Sequence, residues 1–270
     1  MSSIRQVARA LLVLSATVAA VPARAQAPME IVVNIPAGRL VVLEGGVEVR
    51  SYPVSVGTAR HATPTGSAGI QRMVWNPSWT PPESDWARDE RPAAPGPNNP
   101  MGRVKMHLFQ DYYVHGTPAR NEQHLGRPAS HGCIRMRNAD VMELARLVLR
   151  ADGAPVSDET LQGLIDNPRR TREMRLSGRV RVRIEYRLAE VAADSVTLHP
   201  DVYARAAGRY TDRVREELRT LGTDPVVMEQ AAITRAPTAP VRIARYAVPP
   251  IMVVPAAVAA GQPSLGAALR

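Results

Sequence analysis

The 270-residue chain has one cysteine, Cys133, and one lysine, Lys105. A single thiol excludes an internal disulfide, so Cys133 is an inert buried group, an intermolecular partner or a group kept for chemistry. Every basic residue other than Lys105 is arginine, which with the abundant Ala and Pro reflects genomic composition as much as function. The basic residues are scattered, with no basic helix and no interleaved aromatics, so nucleic-acid binding lacks support. Long apolar runs are missing as well. Residues 10–21 fall well short of the roughly 20 that a membrane-spanning helix needs, and no later stretch is long and apolar enough to span a bilayer.

What is present starts with a leader. Arg5 and Arg9 precede the apolar run 10–21, and Ala23-Arg24-Ala25 follows it. This is the pattern of a secretory signal peptide over residues 1–25, with Gln26 as the expected mature N-terminus and a retained anchor as the alternative. The expected location is exported and periplasmic, with no stable membrane insertion after cleavage. No cysteine stands at the cleavage point, so no lipoprotein anchor is indicated. Formal charge is +9, of which Arg5, Arg9 and Arg24 supply three, so the processed chain carries +6. Mild attraction to an anionic envelope surface is compatible with that charge.

Residues 30–57 read as strands, with Glu44-Gly45-Gly46 as a hairpin turn between apolar runs. Residues 63–101 are rich in Pro, Gly, Asn and Trp, which predicts a long functional loop, and Trp75, Trp79 and Trp86 favour an ordered wall. A strand-like run, 104–109, leads to His115. Asn138 suits a helix N-cap. Val141, Leu144, Ala145 and Val148 then recur at helical spacing up to Gly153. A shorter helix is expected over 157–166, stopped by Pro168. Val180, Val182, Ile184 and Tyr186 alternate with polar residues, the period of a half-buried strand. Residues 201–221 look partly helical and charged. One catalytic domain is expected over 26–221, with its core at 30–151. The Ala- and Pro-rich tail, 222–270, is expected to be disordered.

The chemistry concentrates in His115-Gly116-Thr117 and, after a gap, Ser130-His131-Gly132-Cys133-Ile134-Arg135-Met136. A cysteine attacks acyl carbon as its thiolate, so a catalytic thiol wants an imidazole to take its proton and hold the resulting ion pair. His115 is the candidate base. The oxyanion of a tetrahedral intermediate wants backbone N–H donors beside the nucleophile. Gly132 permits unusual backbone angles there, and its amide and that of Cys133 are the expected donors. For Cys133 alone, a small buried hydrophobe is the competing reading. For His115 and His131 it is a pair of satisfied core histidines.

At these residues the chain resembles the YkuD-type L,D-transpeptidases, whose signature is a histidine followed after a gap by Ser/Thr-His-Gly-Cys. The resemblance runs over residues 30–151 and includes Val33-Asn34-Ile35-Pro36, Thr63-Pro64-Thr65-Gly66, Asn76-Pro77-Ser78-Trp79 and Asn99-Pro100-Met101-Gly102. A looser likeness continues at Asp201-Val202-Tyr203. It implies a mostly β (α+β) fold, a twisted β-sandwich or barrel-like sheet with a helix after the cysteine motif. It makes Cys133 the nucleophile, His115 the base and the Gly116 carbonyl the group that orients the imidazole, with Ser130, His131 and Gly132 shaping the pocket. The family commonly has Asn where this chain has Arg135, although Arg is also familiar there. A guanidinium forks onto carboxylates, so Arg135 suits a substrate carboxylate as well as a structural salt bridge.

The resemblance implies an acyltransferase (EC 2.3.2.-) of peptidoglycan stem peptides. Cys133 would form a thioester at the L-centre of meso-diaminopimelate, releasing D-alanine. A second diaminopimelate amine, or the amine of a lipoprotein or outer-membrane protein, would then resolve it. Water would give carboxypeptidase activity instead. No metal or organic cofactor is implied, and enzymes of this kind are acylated by carbapenems. Two alternatives from other classes are a non-catalytic wall-binding domain and a zinc module built on His115, His124, His131 and Cys133. The ligand spacing argues against zinc, because structural sites show close ligand pairs. His61, His107, His124 and His199 are expected on the surface or in loops, and Trp75 and Trp79 as anchors rather than groove residues.

Overall fold

A computed structural model describes residues 27–192, 195–222 and 237–244. The expected leader, 1–25, lies outside them. Strand β1 (Met29–Asn34) alternates so that Ile31 and Val33 are fully buried. It pairs antiparallel with β2 (Arg39–Glu44), which turns through Gly45 and Gly46 into β3 (Val47–Pro53). Both turn glycines have positive φ, 59° and 83°, which is why Gly-Gly stands there. The other edge of β1 takes a parallel partner from far along the chain, β12 (Arg181–Glu185), whose own far edge carries β5 (Gly66–Gly69). The first five-stranded sheet is therefore ordered β3-β2-β1-β12-β5.

The second five-stranded sheet is ordered β10-β8-β7-β6-β11, from β10 (Ile134–Arg137), β8 (Tyr112–Thr117), β7 (Val104–Phe109), β6 (Arg72–Trp75) and β11 (Arg172–Arg175). One continuous core takes in Ile31, Val33 and Leu40 of the first sheet and Trp75, Met106 and Val114 of the second. Helix α1 (Asn138–Asp152) adds Val141, Leu144, Ala145 and Val148, the four positions its spacing marked. Gly153 ends it in the left-handed conformation. Helix α2 (Asp158–Asp166) is capped by the Ser157 hydroxyl, which accepts from Thr160 N–H. The fold is mostly β with open sheets, the sandwich form of the expectation rather than a closed barrel.

A small unit follows. Strands β13 (Ala189–Val191), β14 (Ser195–Leu198) and β15 (Val241–Ala244) form an antiparallel sheet, and α3 (Tyr210–Thr220) lays Tyr210, Val214 and Leu218 on it. The expected unordered tail is thus corrected at Val241–Ala244, which pairs with β14 because its backbone completes an otherwise open edge. Tail residues 223–236 and those after 244 lie outside the described ones. His199 stands in the loop after β14, within the expectation of a surface or loop position, but it is only 4% exposed and lies 3.4 Å from Glu190, which also accepts from Asn34 and Arg39. Burial works against the Glu190 charge, but His199, Asn34 and Arg39 outweigh it and bring the carboxyl down to about 2.

The segment expected to be irregular, 63–101, contains β5 and β6, and beyond β6 it is fastened by two asparagines. Asn76, at φ 47°, donates to the carbonyls of Leu164, Asn167 and Arg170. Asn99 donates to those of Pro77, Ala93 and Ala94. Asn138 does not cap α1 as expected. Its side chain accepts from Arg103 N–H and donates to Thr117 O, which ties the end of β8 to the start of β7.

Candidate active site

The second sheet brings together a row of side chains that are far apart in sequence. Cross-strand register runs Glu173 to Val74, Val74 to Lys105, Lys105 to His115, and His115 to Arg135. The opposite face carries Met106, Val114, Ile134 and Met136 into the core. His115 therefore stands with a cation on each side. Because β8 and β10 are parallel, the crossover between them, residues 118–133, has to return the chain to the end of the sheet where β8 began. That return places Cys133 one residue ahead of β10, on the cleft side.

His115 is 2% exposed, and its Nδ1 lies 2.6 Å from Gly116 O. A carbonyl only accepts, so Nδ1 carries the proton and Nε2 keeps its lone pair. Burial, then Arg135 and more weakly Lys105, push the imidazole down to about 3 against the pull of the Gly116 bond. Cys133 is half-buried and its Sγ donates to Asp111 O at 3.5 Å. Burial pushes the thiol up, although Tyr113 N–H, Arg135 and Lys105 favour its thiolate. Both shifts favour the uncharged thiol and imidazole over the thiolate–imidazolium pair.

The motif turn is held from within. Gly132 N–H donates to Ser130 Oγ at 3.1 Å, and Ser130 Oγ donates to Cys133 O at 2.6 Å. Gly132 has φ 110°, and a Cβ there would lie 2.7 Å from Tyr112 Cε1, so only glycine fits without a shift. The Gly132 amide, one of the two expected oxyanion donors, is thus already paired with Ser130 Oγ. Gly132 O accepts from Thr63 Oγ1 at 2.7 Å. Thr63 N–H donates to Tyr203 Oη at 3.1 Å, and that hydroxyl donates to Gly57 O at 2.8 Å. The Asp201-Val202-Tyr203 segment therefore reaches back to the cysteine turn.

The YkuD family model, described as the L,D-transpeptidase catalytic domain, matches residues 28–162, half of the chain. The chain belongs to the L,D-transpeptidase catalytic-domain family. It is 40% identical over 107 residues to an open reading frame in the ATP synthase subunits region of Fuscovulum blasticum that carries the L,D-transpeptidase name, covering 38% of this chain and 55% of that one. It is 28% identical over 191 residues to the probable L,D-transpeptidase YbiS of Escherichia coli, covering 64% and 61%. The chain thus spans 55–61% of the length of these relatives. Among solved structures, the catalytic domain of the E. faecium L,D-transpeptidase is matched at TM-score 0.39 and 12% identity, over 60% of this chain and 99% of that one. L,D-transpeptidase 3 of Mycobacterium tuberculosis is matched at TM-score 0.38 and 16% identity, over 59% and 61%. At those values the architecture rests on the strands described above.

In this L,D-transpeptidase domain, Cys133, His115 and Arg135 line one cleft of about 990 Å3. His131 lines it too, stacked on Trp86 with ring centroids 4.1 Å apart and planes 6° from parallel. The ring of His61, expected on the surface or in a loop, lies 4.9 Å from that of His131. Trp79 also lines the cleft, while Trp75 is wholly buried as an anchor. Arg135 has no carboxylate partner among the described residues. Its Nη1 donates to Ala129 O at 3.3 Å, so the salt-bridge reading is set aside. Among the described residues no group of three or more His, Cys, Asp or Glu is placed to hold a metal ion, and no helix is long and apolar enough to cross a membrane. Sequence reasoning did not single out Lys105, Tyr112, Tyr113 or Trp86 as cleft residues, nor give Thr63 and Tyr203 their connection to the turn. Strand alternation from His115 could have found Tyr113, two residues earlier on the same face.

Proposed function

We propose that the protein is a cysteine L,D-transpeptidase of peptidoglycan stem peptides, exported and periplasmic. The observation that carries this is the Gly116 carbonyl on His115 Nδ1, which leaves Nε2 as a base in the cleft that holds the Cys133 thiol. Cys133 attacks the carbonyl at the L-centre of meso-diaminopimelate in a tetrapeptide, and its Sγ proton passes to His115 Nε2 as the S–C bond forms. The Cys133 N–H faces the developing oxyanion. The C–N bond to D-alanine then breaks, the leaving nitrogen takes the proton from His115, and a thioester remains.

An acceptor amine attacks the thioester and gives its proton to His115. The thiolate leaves and is reprotonated. A diaminopimelate side chain as acceptor yields a 3→3 cross-link, whereas the amine of a lipoprotein or outer-membrane protein yields an anchored protein. Water completes a carboxypeptidase cycle at the same site. Ser130 keeps the turn closed, His131 forms the wall with Trp86, and Arg135 offers a guanidinium to a substrate carboxylate.

The test incubates purified residues 26–270 with disaccharide-tetrapeptides and follows products by mass spectrometry. D-Alanine release by the wild type, lost in Cys133→Ala and cut by at least about 100-fold in His115→Ala, is expected. Undiminished turnover by Cys133→Ala would sink the proposal. The mass of the second product identifies the acceptor.

A further inference from the structure

Lys105 is the only lysine among 34 basic residues, and it lies in the active-site cleft. It sits beside His115 in the β7–β8 register, and Arg135 sits beside His115 on the other side. Its ammonium reaches over the ring of Tyr113, 5.3 Å from the centroid, and so leans toward the start of β8, where Asp111 O receives the Cys133 thiol. The acid nearest in the row, Glu173, is paired with Arg72 at 3.5 Å. Neither Lys105 nor Arg135 has a carboxylate within salt-bridge distance among the described residues. Two partly buried cations without a counter-charge carry a desolvation cost that a bound anion offsets. The cleft acids are Glu83 and Glu90 on the loop beyond β6 and Asp111 before β8, and none of them forms an ion pair with Lys105 or Arg135 among the described residues.

We propose that Lys105 and Arg135 together hold the free C-terminal carboxylate of the acyl donor, so that this site selects donors whose leaving residue ends in a carboxylate. The inference rests on the acyl-transfer reading above and adds the recognition element to it. In a tetrapeptide donor the leaving residue's carboxyl carbon is two bonds beyond the scissile nitrogen. A donor placed with its scissile carbonyl at Cys133 therefore carries that anion within one residue of the thiol. Arg135 supplies a planar fork, and Lys105 a compact charge that completes the pair without crowding the imidazole between them. A purely electrostatic role, favouring the Cys133 thiolate, would act equally on every donor. A binding role discriminates between them.

The experiment uses the full processed chain and three donors: a tetrapeptide ending in D-alanine, the same peptide ending in D-alaninamide, and the first peptide with lysine in place of diaminopimelate, which lacks the distal carboxylate. Wild-type kcat/KM is expected to favour the free-acid donor over the amide by roughly 10-fold or more. In Lys105→Met that ratio falls toward one, and Lys105→Arg restores part of it. The Lys105→Met effect is expected to persist with the lysine-containing donor. As a measurement independent of any variant, N-acetyl-D-alanine, unlike its amide, should protect wild-type Cys133 from iodoacetamide. An unchanged acid-to-amide ratio in Lys105→Met, or disappearance of its effect when only the distal carboxylate is removed, overturns the inference. If the wild type releases no leaving group from any donor, the acyl-transfer reading itself fails.

Discussion

His115 faces Arg135 across the parallel β8–β10 ladder, and the guanidinium helps keep the buried imidazole uncharged. A base whose affinity for protons falls to about 3 stays neutral over the whole working range of pH. Reactivity toward electrophiles then follows the thiol, which burial pushes above its ordinary range. Alkylation of Cys133 by iodoacetamide should be slow at pH 6 and rise with pH past 9, with no plateau at neutral pH. Arg135→Met removes a charge that favours the thiolate and should move the rise to still higher pH. A rate already at its plateau at pH 6 would show a preformed ion pair instead.

The same imidazole links stability to pH. The unfolded chain binds a proton at His115 near its ordinary value of about 6.5, whereas the folded chain does so only near 3. The unfolded state therefore holds more protons between those values, and stability falls as pH drops from about 6.5 toward 3. Thermal melts of His115→Gln should show a shallower acid limb than the wild type. Parallel limbs would mean that other groups set the acid sensitivity.

Gly132→Ala puts a β-carbon where φ is 110° and Tyr112 Cε1 is 2.7 Å away. Backbone strain of this kind costs about 1–3 kcal/mol. Acylation should fall further, by about 100-fold or more, because a turn that shifts by an ångström misaims the thiol. Melting temperature and thioester formation, measured on one preparation, separate the two effects.

Tyr203→Phe removes the hydroxyl that accepts from Thr63 and donates to Gly57, and so frees the threonine that holds Gly132 O. Lost bonds in a partly buried network cost about 1–3 kcal/mol. A fall in kcat with little change in KM is expected, reproduced by Thr63→Val and rescued by Thr63→Ser. A change confined to KM would place Tyr203 in substrate binding rather than in positioning the turn.

Asn76→Gly keeps the left-handed backbone at φ 47° but removes the amide that satisfies three carbonyls at and beyond the end of α2. Destabilisation of about 2–4 kcal/mol is expected from denaturant unfolding. A value near zero would show that backbone conformation alone, not the amide, explains asparagine at this position.

Much of the local structure was legible. The Gly45-Gly46 turn, the helical spacing ending at Gly153 and the alternation at Val182 and Ile184 each follow from one residue's conformational range or one period, which neighbours in sequence reveal. Asn138 misled because its side chain found partners on β7 and β8 rather than its own helix. The burial of His199 in its loop was not legible, because nothing adjacent in sequence announces its contact with Glu190.

By itself, the sequence determined that one thiol follows Ser-His-Gly, that a histidine precedes it, and which family that pattern belongs to. These are properties of short segments, set by residue type and spacing. Tertiary structure alone decided that Lys105 and Arg135 flank His115, that Ser130 takes the Gly132 amide, and that Tyr203 reaches the cysteine turn. Those contacts depend on strand register and on a crossover that returns parallel to β8, and register is fixed by the packing of whole sheets, a quantity no local window of sequence contains.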